Sequence, residues 1–175
     1  MKNENNLSSA TNSVRSNSFL VILRIGLIAG ALDISDALIF SYFRGGTPKG
    51  VFQFIASGLI GMKSFEAGTA SIVLGVVLHF MIALIWTAIF YIAASKLEIL
   101  VRRPVVSGLL YGGLVYLCMN FIVLPLSGIP HSTRPPSLVS RINGVMALLF
   151  CIGLTVSLLV RRSLSENVVT AKTPA

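Results

Sequence analysis

The sequence predicts an all-α polytopic membrane protein: a bundle of four transmembrane helices, with a short interfacial or re-entrant helix between spans 1 and 2. Three observations predict it. Long stretches exclude charge: 29 consecutive residues between Glu66 and Lys96 lack any acid, Lys or Arg, as do 30 between Arg103 and Arg134 and 19 between Arg141 and Arg161. A hydrocarbon core about 30 Å thick needs roughly 20 apolar helical residues, so each stretch is long enough to cross. Hydrophobic residues make up 54% of the 175-residue chain and charged ones 11%, with a mean hydropathy of +0.84, outside the range of soluble domains. The third observation is the missing period-2 alternation. Strands would need it to close a barrel, and helices are the other way to satisfy a backbone in lipid.

The elements follow in order. Residues 1–18 are rich in Asn and Ser and poor in large apolar groups, which predicts a disordered tail. Span 1 covers 19–43 and differs from the others in carrying Arg24, Asp33 and Asp36. Ala29-Gly30-Ala31 has the small-x-small form of a signal-peptide cleavage site. Arg24 interrupts the apolar region ahead of it, however, and 34–43 continues the apolar pattern, so the segment reads as a retained span. Thr47 and Pro48 offer a cap and a first-turn proline for the short apolar segment 51–62. Twelve helical residues cover only about 18 Å, too little to cross. It is read either as lying in the interface or as re-entering to cap or line a polar cavity. Span 2 covers 69–94. Span 3 covers 104–127, starting at Pro104 and ending among Pro125, Gly128 and Pro130, which open a turn-rich loop to Pro136. Span 4 covers 138–160, and 163–175 is read as a second disordered tail. The membrane domain is therefore 19–162.

The net charge of +8 and pI near 10.1 do not signal nucleic acid, because the basic residues sit at span ends and form no stripe with aromatics. The expected surroundings are the lipid bilayer, with a homo-oligomer or a membrane-protein partner as the further association. Lys2, Arg15, Lys96, Arg102, Arg103, Arg161, Arg162 and Lys172 fall on the side of the termini, against Arg44, Lys49, Lys63, Arg134 and Arg141 on the other. That bias predicts that both termini are cytoplasmic. Cys118 and Cys151 lie inside spans and have neither disulfide nor metal-ligand spacing.

Charge inside lipid is costly and marks function. Asp33 and Asp36 are three apart and share a helix face with Gly26, Ala29, Gly30 and Ala37, a face suited to packing against other helices. Arg24 points nearly opposite Asp33, about 13 Å along the axis, and is expected to snorkel to headgroups. Counted from the cytoplasmic ends, Asp33 lies about 21 Å deep, His79 about 22 Å, Asn120 about 24 Å, and Asp36 and Asn143 about 25 Å. Every span thus offers a polar group at one level. His79 shares a face with Gly75, Ala83 and Trp86. Gly108 and Gly112 form a small-xxx-small pair, with Tyr111, Tyr116 and Asn120 near that side.

Two readings of this level stand side by side. In one, the polar groups hold the bundle together, with Asp33 paired to His79 and Asn and Tyr bonding across helices. In the other, Asp33, Asp36 and His79, with Tyr116, Asn120 and Asn143 nearby, form a proton-sensitive or ligand-binding polar centre. Enzyme signatures are missing: there is no phosphate loop, nucleophile elbow or HExxH. Ser127, His131 and Arg134 lie near one another in a loop without a defining pattern. A bis-histidine haem would need His131 to fold back toward His79. Asp33, Asp36 and His79 would supply three metal ligands, but the spans offer no other strong one, so neither metal nor cofactor is expected.

Leu27 to Leu32 echoes Leu109 to Leu114, a weak sign of a parallel two-helix duplication. Gly30-Ala31-Leu32-Asp33, Ile55-Ala56-Ser57-Gly58-Leu59, Leu78-His79-Phe80, Met119-Asn120 and Val123-Leu124-Pro125-Leu126-Ser127 together resemble a family of small four-span bacterial inner-membrane proteins. The resemblance covers residues 20 to 162 and implies the four-span fold, but no established activity comes with it. Some similar sequences are expected to carry a histidine in the fourth span, where this chain is apolar around Leu148. The expected function is a non-enzymatic small transporter, a channel-like component or a scaffold subunit built around the Asp/His centre. A membrane-embedded enzyme or redox component using the same centre is the alternative.

Overall fold

The computed structural model describes residues 2–130 and 136–172, with side chains described over 18–130 and 136–165. Every regular element among them is helical. Helix α1 runs Lys2–Phe43, α2 Pro48–Ile60, α3 Gly68–Lys96 and α4 Glu98–Arg102. Helices α5 (Pro104–Leu126) and α6 (Leu138–Ser165) follow, and the last continues to Lys172. Four segments among the described residues are long and apolar enough to cross a membrane: Ser18–Phe43 within α1, α3, α5 and α6. This is the make-up of a membrane protein. The helix is already in place at Lys2, ahead of the apolar run. The same holds past residue 163, where helix persists to Lys172. A helix extends from an existing turn at far lower cost than it nucleates, so a span propagates into polar flanks. Residues 173–175 lie outside the described residues.

Local chemistry explains the boundaries. Thr47 caps α2, its Oγ1 accepting from the Gly50 N–H at 3.1 Å, and Pro48 occupies the first turn. A 3₁₀ turn, Gly61–Phe65, then leads to α3. Gly61 sits at φ 62°, a conformation that favours a residue without Cβ. Ser137 caps α6 by accepting from Ser140 N–H at 3.2 Å. Two spans carry π-helical segments, Met119–Val123 in α5 and Leu148–Leu154 in α6. In the first, Leu124 N–H donates five residues back to Met119 O. Pro125 lies just beyond and has no N–H to continue the α ladder. In the second, both Thr155 N–H and Thr155 Oγ1 turn to Phe150 O, the latter at 3.0 Å.

One half of the bundle is filled. Ile25, Ala29, Phe90, Tyr111, Val115 and Val156 belong to a single buried cluster that draws on α1, α3, α5 and α6. Tyr91 reaches Ser18 Oγ at 3.2 Å, and Ser157 Oγ donates to Pro104 O at 2.7 Å. The start of α1, the end of α3, the start of α5 and the end of α6 therefore meet at one end, here called the terminal end. α5 and α6 come together through a glycine seam. A Cβ on Gly112 would sit 2.5 Å from Leu148 O, and one on Gly108 2.8 Å from Gly153 O. On α1, Gly26 faces Leu84 and Gly30 faces Phe80 and Ala83 of α3, again without room for a side chain.

The other half is looser, and α2 lies there. Its Gln53, Ala56 and Ser57 are buried against α3 and the turn before it. Gln53 Nε2 donates to Ser64 O at 3.2 Å and lies within 3.3 Å of Phe65 O and 3.4 Å of Ser71 Oγ. Gly75 of α3 abuts the Phe52 carbonyl. Past the end of α5, Gly128 N–H donates to Gly58 O at 2.8 Å and ties the following loop to α2.

Candidate functional site: a polar cleft between α1, α2, α5 and α6

A cavity of about 610 Å³ opens at the end away from the termini. Asp33 and Asp36 reach it from α1, Tyr116 and Asn120 from α5, and Asn143 from α6. The remaining wall is largely apolar, with Phe40 of α1, Phe54 of α2 and Leu124 of α5 among its side chains. Exposed residues form the rim: Gly46 and Thr47 before α2, Pro136 before α6, and Arg141 on its first turns. Arg44 stacks over the Phe40 ring at 5.6 Å, placing a second guanidinium beside the mouth.

Hydrogen bonds distinguish these polar groups. Asn143 Nδ2 donates to Asp36 Oδ2 at 2.8 Å and joins α1 to α6 inside the cleft. Counting residues had placed the two at equal depth. Asn120 Nδ2 instead donates to Tyr116 O at 2.9 Å, on its own helix. That bond satisfies the amide nitrogen within the π-helical region and does not bridge helices. Tyr116 lays its ring against Gly144, whose missing side chain leaves the space.

His79 lies apart from that group. It lines a second, smaller cavity of about 120 Å³ together with Asp33, Ile55, Ala83 and Trp86. Its Nε2 bonds the Gly30 carbonyl at 2.9 Å, so that nitrogen carries the proton and donates. No hydrogen bond or ion pair joins Asp33 to His79 among the described residues, a departure from the pairing that matched depths suggest. The reason is steric and local. Gly30 has no side chain, α1 and α3 approach closely there, and the backbone carbonyl meets the imidazole one turn before Asp33 does. The two groups instead share the wall of one small chamber.

Arg24 is exposed on the opposite side of α1, as its helical phase requires. Among the described residues, no group of three or more His, Cys, Asp or Glu is placed to hold a metal ion. His131 and Arg134 lie outside the described residues. Cys118 and Cys151 are both free thiols, partly buried.

Two residues that organise this region, Gln53 and Gly153, escaped sequence reasoning. Gln53 anchors α2 to the turn before α3, and its signal was visible as the one amide in an otherwise apolar segment. Gly153 completes the seam with Gly108 and Gly112, but a lone glycine in an apolar span carries no warning of its partner. Tyr111 donates its hydroxyl to Trp86 O at 2.5 Å and closes the floor beneath the smaller cavity.

Compared with protein families, with curated proteins and with solved structures, the chain matches none.

Proposed function

We propose that this chain is a small-solute carrier or channel-like component of a cell inner membrane, with both termini in the cytoplasm and the cleft opening on the outer side. The observation that carries the reading is the asymmetric filling of the bundle. One cavity gathers carboxylates, amides and a phenol from three spans at one level and reaches exposed rim residues, while the terminal half is packed with apolar side chains. Ionisable groups are expensive in a lipid-embedded bundle unless they face a partner or water, and here they face a cavity. A scaffold needs no such space. A carrier needs it, open to one side and closed to the other.

In this reading α2 and the turn after it form a re-entrant wall. Irregular backbone at membrane depth is tolerated where protein or a watery cavity covers it. Thr47, Gly50 and Val51 line the cleft, and Ile55 reaches the chamber that holds His79. Asp33 lies at the deepest polar point of the cleft and is the residue assigned to meet the solute. His79 supplies the imidazole that faces the inner chamber.

The test is reconstitution of the full chain in liposomes, with flux followed for protons, alkali cations, small amines and small neutral solutes. We expect a flux above protein-free liposomes for at least one of them, reduced ten-fold or more in Asp33→Asn. A correctly assembled protein that moves none of these probes sinks the carrier reading and leaves the scaffold.

A further inference from the structure

The cleft and the chamber behind it share three lining residues: Asp33, Met119 and Leu148. Two of the three open the π-helical segments of the bundle. Met119 is the first residue of the segment in α5, and Leu148 is the first of the segment in α6. We infer that Met119 and Leu148 form a gate between the open cleft and a smaller inner site beside His79. The inner site admits a small polar occupant, one to a few water molecules or a solute of that size.

Four features of the structure support this assignment. The inner chamber, at about 120 Å³, matches roughly four waters at their liquid volume of about 30 Å³ each. Its wall is largely apolar, and the Asp33 carboxylate at the cleft side and the His79 ring on α3 are the polar groups that would hold them. The barrier is made of the side chains best suited to move. Methionine is unbranched and adapts to irregular gaps, and an apolar constriction stops water by dewetting without any large motion. The backbone beneath is also prepared. π segments interrupt the α ladder and recur at functional positions, and on α5 a switch to α register would turn Met119 relative to the seam. That seam holds α5 against α6 at Gly108, Gly112 and Gly153 and includes the Leu148 backbone, so movement is confined to α5 beyond Gly112 and to the Leu148 side chain.

The floor of the chamber is closed. Trp86 lines it, Tyr111 bonds the Trp86 carbonyl, and the Tyr111 ring packs on Phe90 at 4.9 Å. An occupant entering from the cleft therefore stops beside His79, where it bridges the imidazole to the Asp33 carboxylate that the ring does not touch directly.

This inference rests on the carrier reading for its purpose, but its test reads access and not flux, so the two fail separately. In a background with Cys118→Ser and Cys151→Ser, Ala37→Cys reports the cleft and Ile82→Cys the inner chamber. A small membrane-impermeant thiol reagent should label position 37 at least ten-fold faster than position 82. Met119→Ala should raise the rate at 82 ten-fold or more and leave position 37 within two-fold, whereas Met119→Phe should slow position 82 further. The Phe variant adds bulk, so a trend in both directions separates gating from loosened folding. Equal rates at 37 and 82 in the parent, or a rate at 82 that ignores both substitutions, overturns the gate.

Discussion

At the terminal end, Phe90 and Tyr111 meet with ring centres 4.9 Å apart and Val115, Val156 and Val160 are wholly buried. At the opposite end, the same α1, α5 and α6 leave a cavity of about 610 Å³. Span hydropathy, between 1.9 and 2.5, does not separate the halves, since each span runs through both. Side-chain size and backbone regularity do. The closed half pairs glycine and alanine against large side chains, so helices approach and every gap is filled. The open half has the π-helical stretch of α5 and the start of the one in α6, a short helix wedged against α3, and polar groups that bond along their own helix or across the cleft. Lipid offers little hydrophobic drive between helices, so shape complementarity decides where a bundle closes.

Substitutions should therefore act differently in the two halves. The largest effect is expected for Phe90→Ala, which empties a side chain only 2% exposed and costs about 3 kcal/mol by the usual large-to-small cavity penalty. Unfolding in mild detergent measures it, and a loss below about 1 kcal/mol would show that the closed half is not tightly packed. Gly112→Val comes next, at about 2 kcal/mol, because its Cβ meets the Leu148 and Leu149 backbone, which cannot swing aside. Its signature would be separation of α5 from α6, read as new cross-linking distances between cysteines on the two helices.

In the open half, Asn143→Ala removes one bond across the cleft and should cost about 1 kcal/mol, within the range measured for hydrogen bonds between transmembrane helices. If Asp36→Asn and Asn143→Ala are additive when combined, that bond is not coupled and the cleft is looser than drawn. Asp33→Asn should be the mildest, within about 0.5 kcal/mol, because His79 is held by Gly30 O and loses no direct partner. A large loss of stability there would restore the direct Asp33–His79 pairing. For orientation, Lys96→Cys and Ser137→Cys should label from opposite sides of the membrane, and labelling of both from one side ends the four-span arrangement.

Much of the fold was legible before any coordinates. Span limits at 69–94 and 104–127 fall within two residues of the helices, because the lengths of charge-free apolar sequence follow from bilayer thickness alone. The last span was placed short at its C-terminal end, where helix continues through Arg161 and Arg162 to Ser165. Charged residues end a hydropathy signal without ending a helix. The small-residue faces at Gly26, Gly30, Gly108 and Gly112 could also be read, since close approach needs residues without bulk. Helical counting put Asp36 and Asn143 at one depth, where the structure joins them.

Counting could not choose partners. His79 and Asp33 share a depth and a chamber, yet the imidazole bonds a backbone carbonyl that no residue letter advertises. The sequence by itself determined the number of spans, their lengths and the level at which charge enters the membrane, because these depend on composition along a single helix. Which half of the bundle is filled, where the π turns fall and what separates the cleft from the inner chamber depend on several helices meeting at once. Only the tertiary structure decided those, because packing and hydrogen bonding between spans are not properties of any one of them.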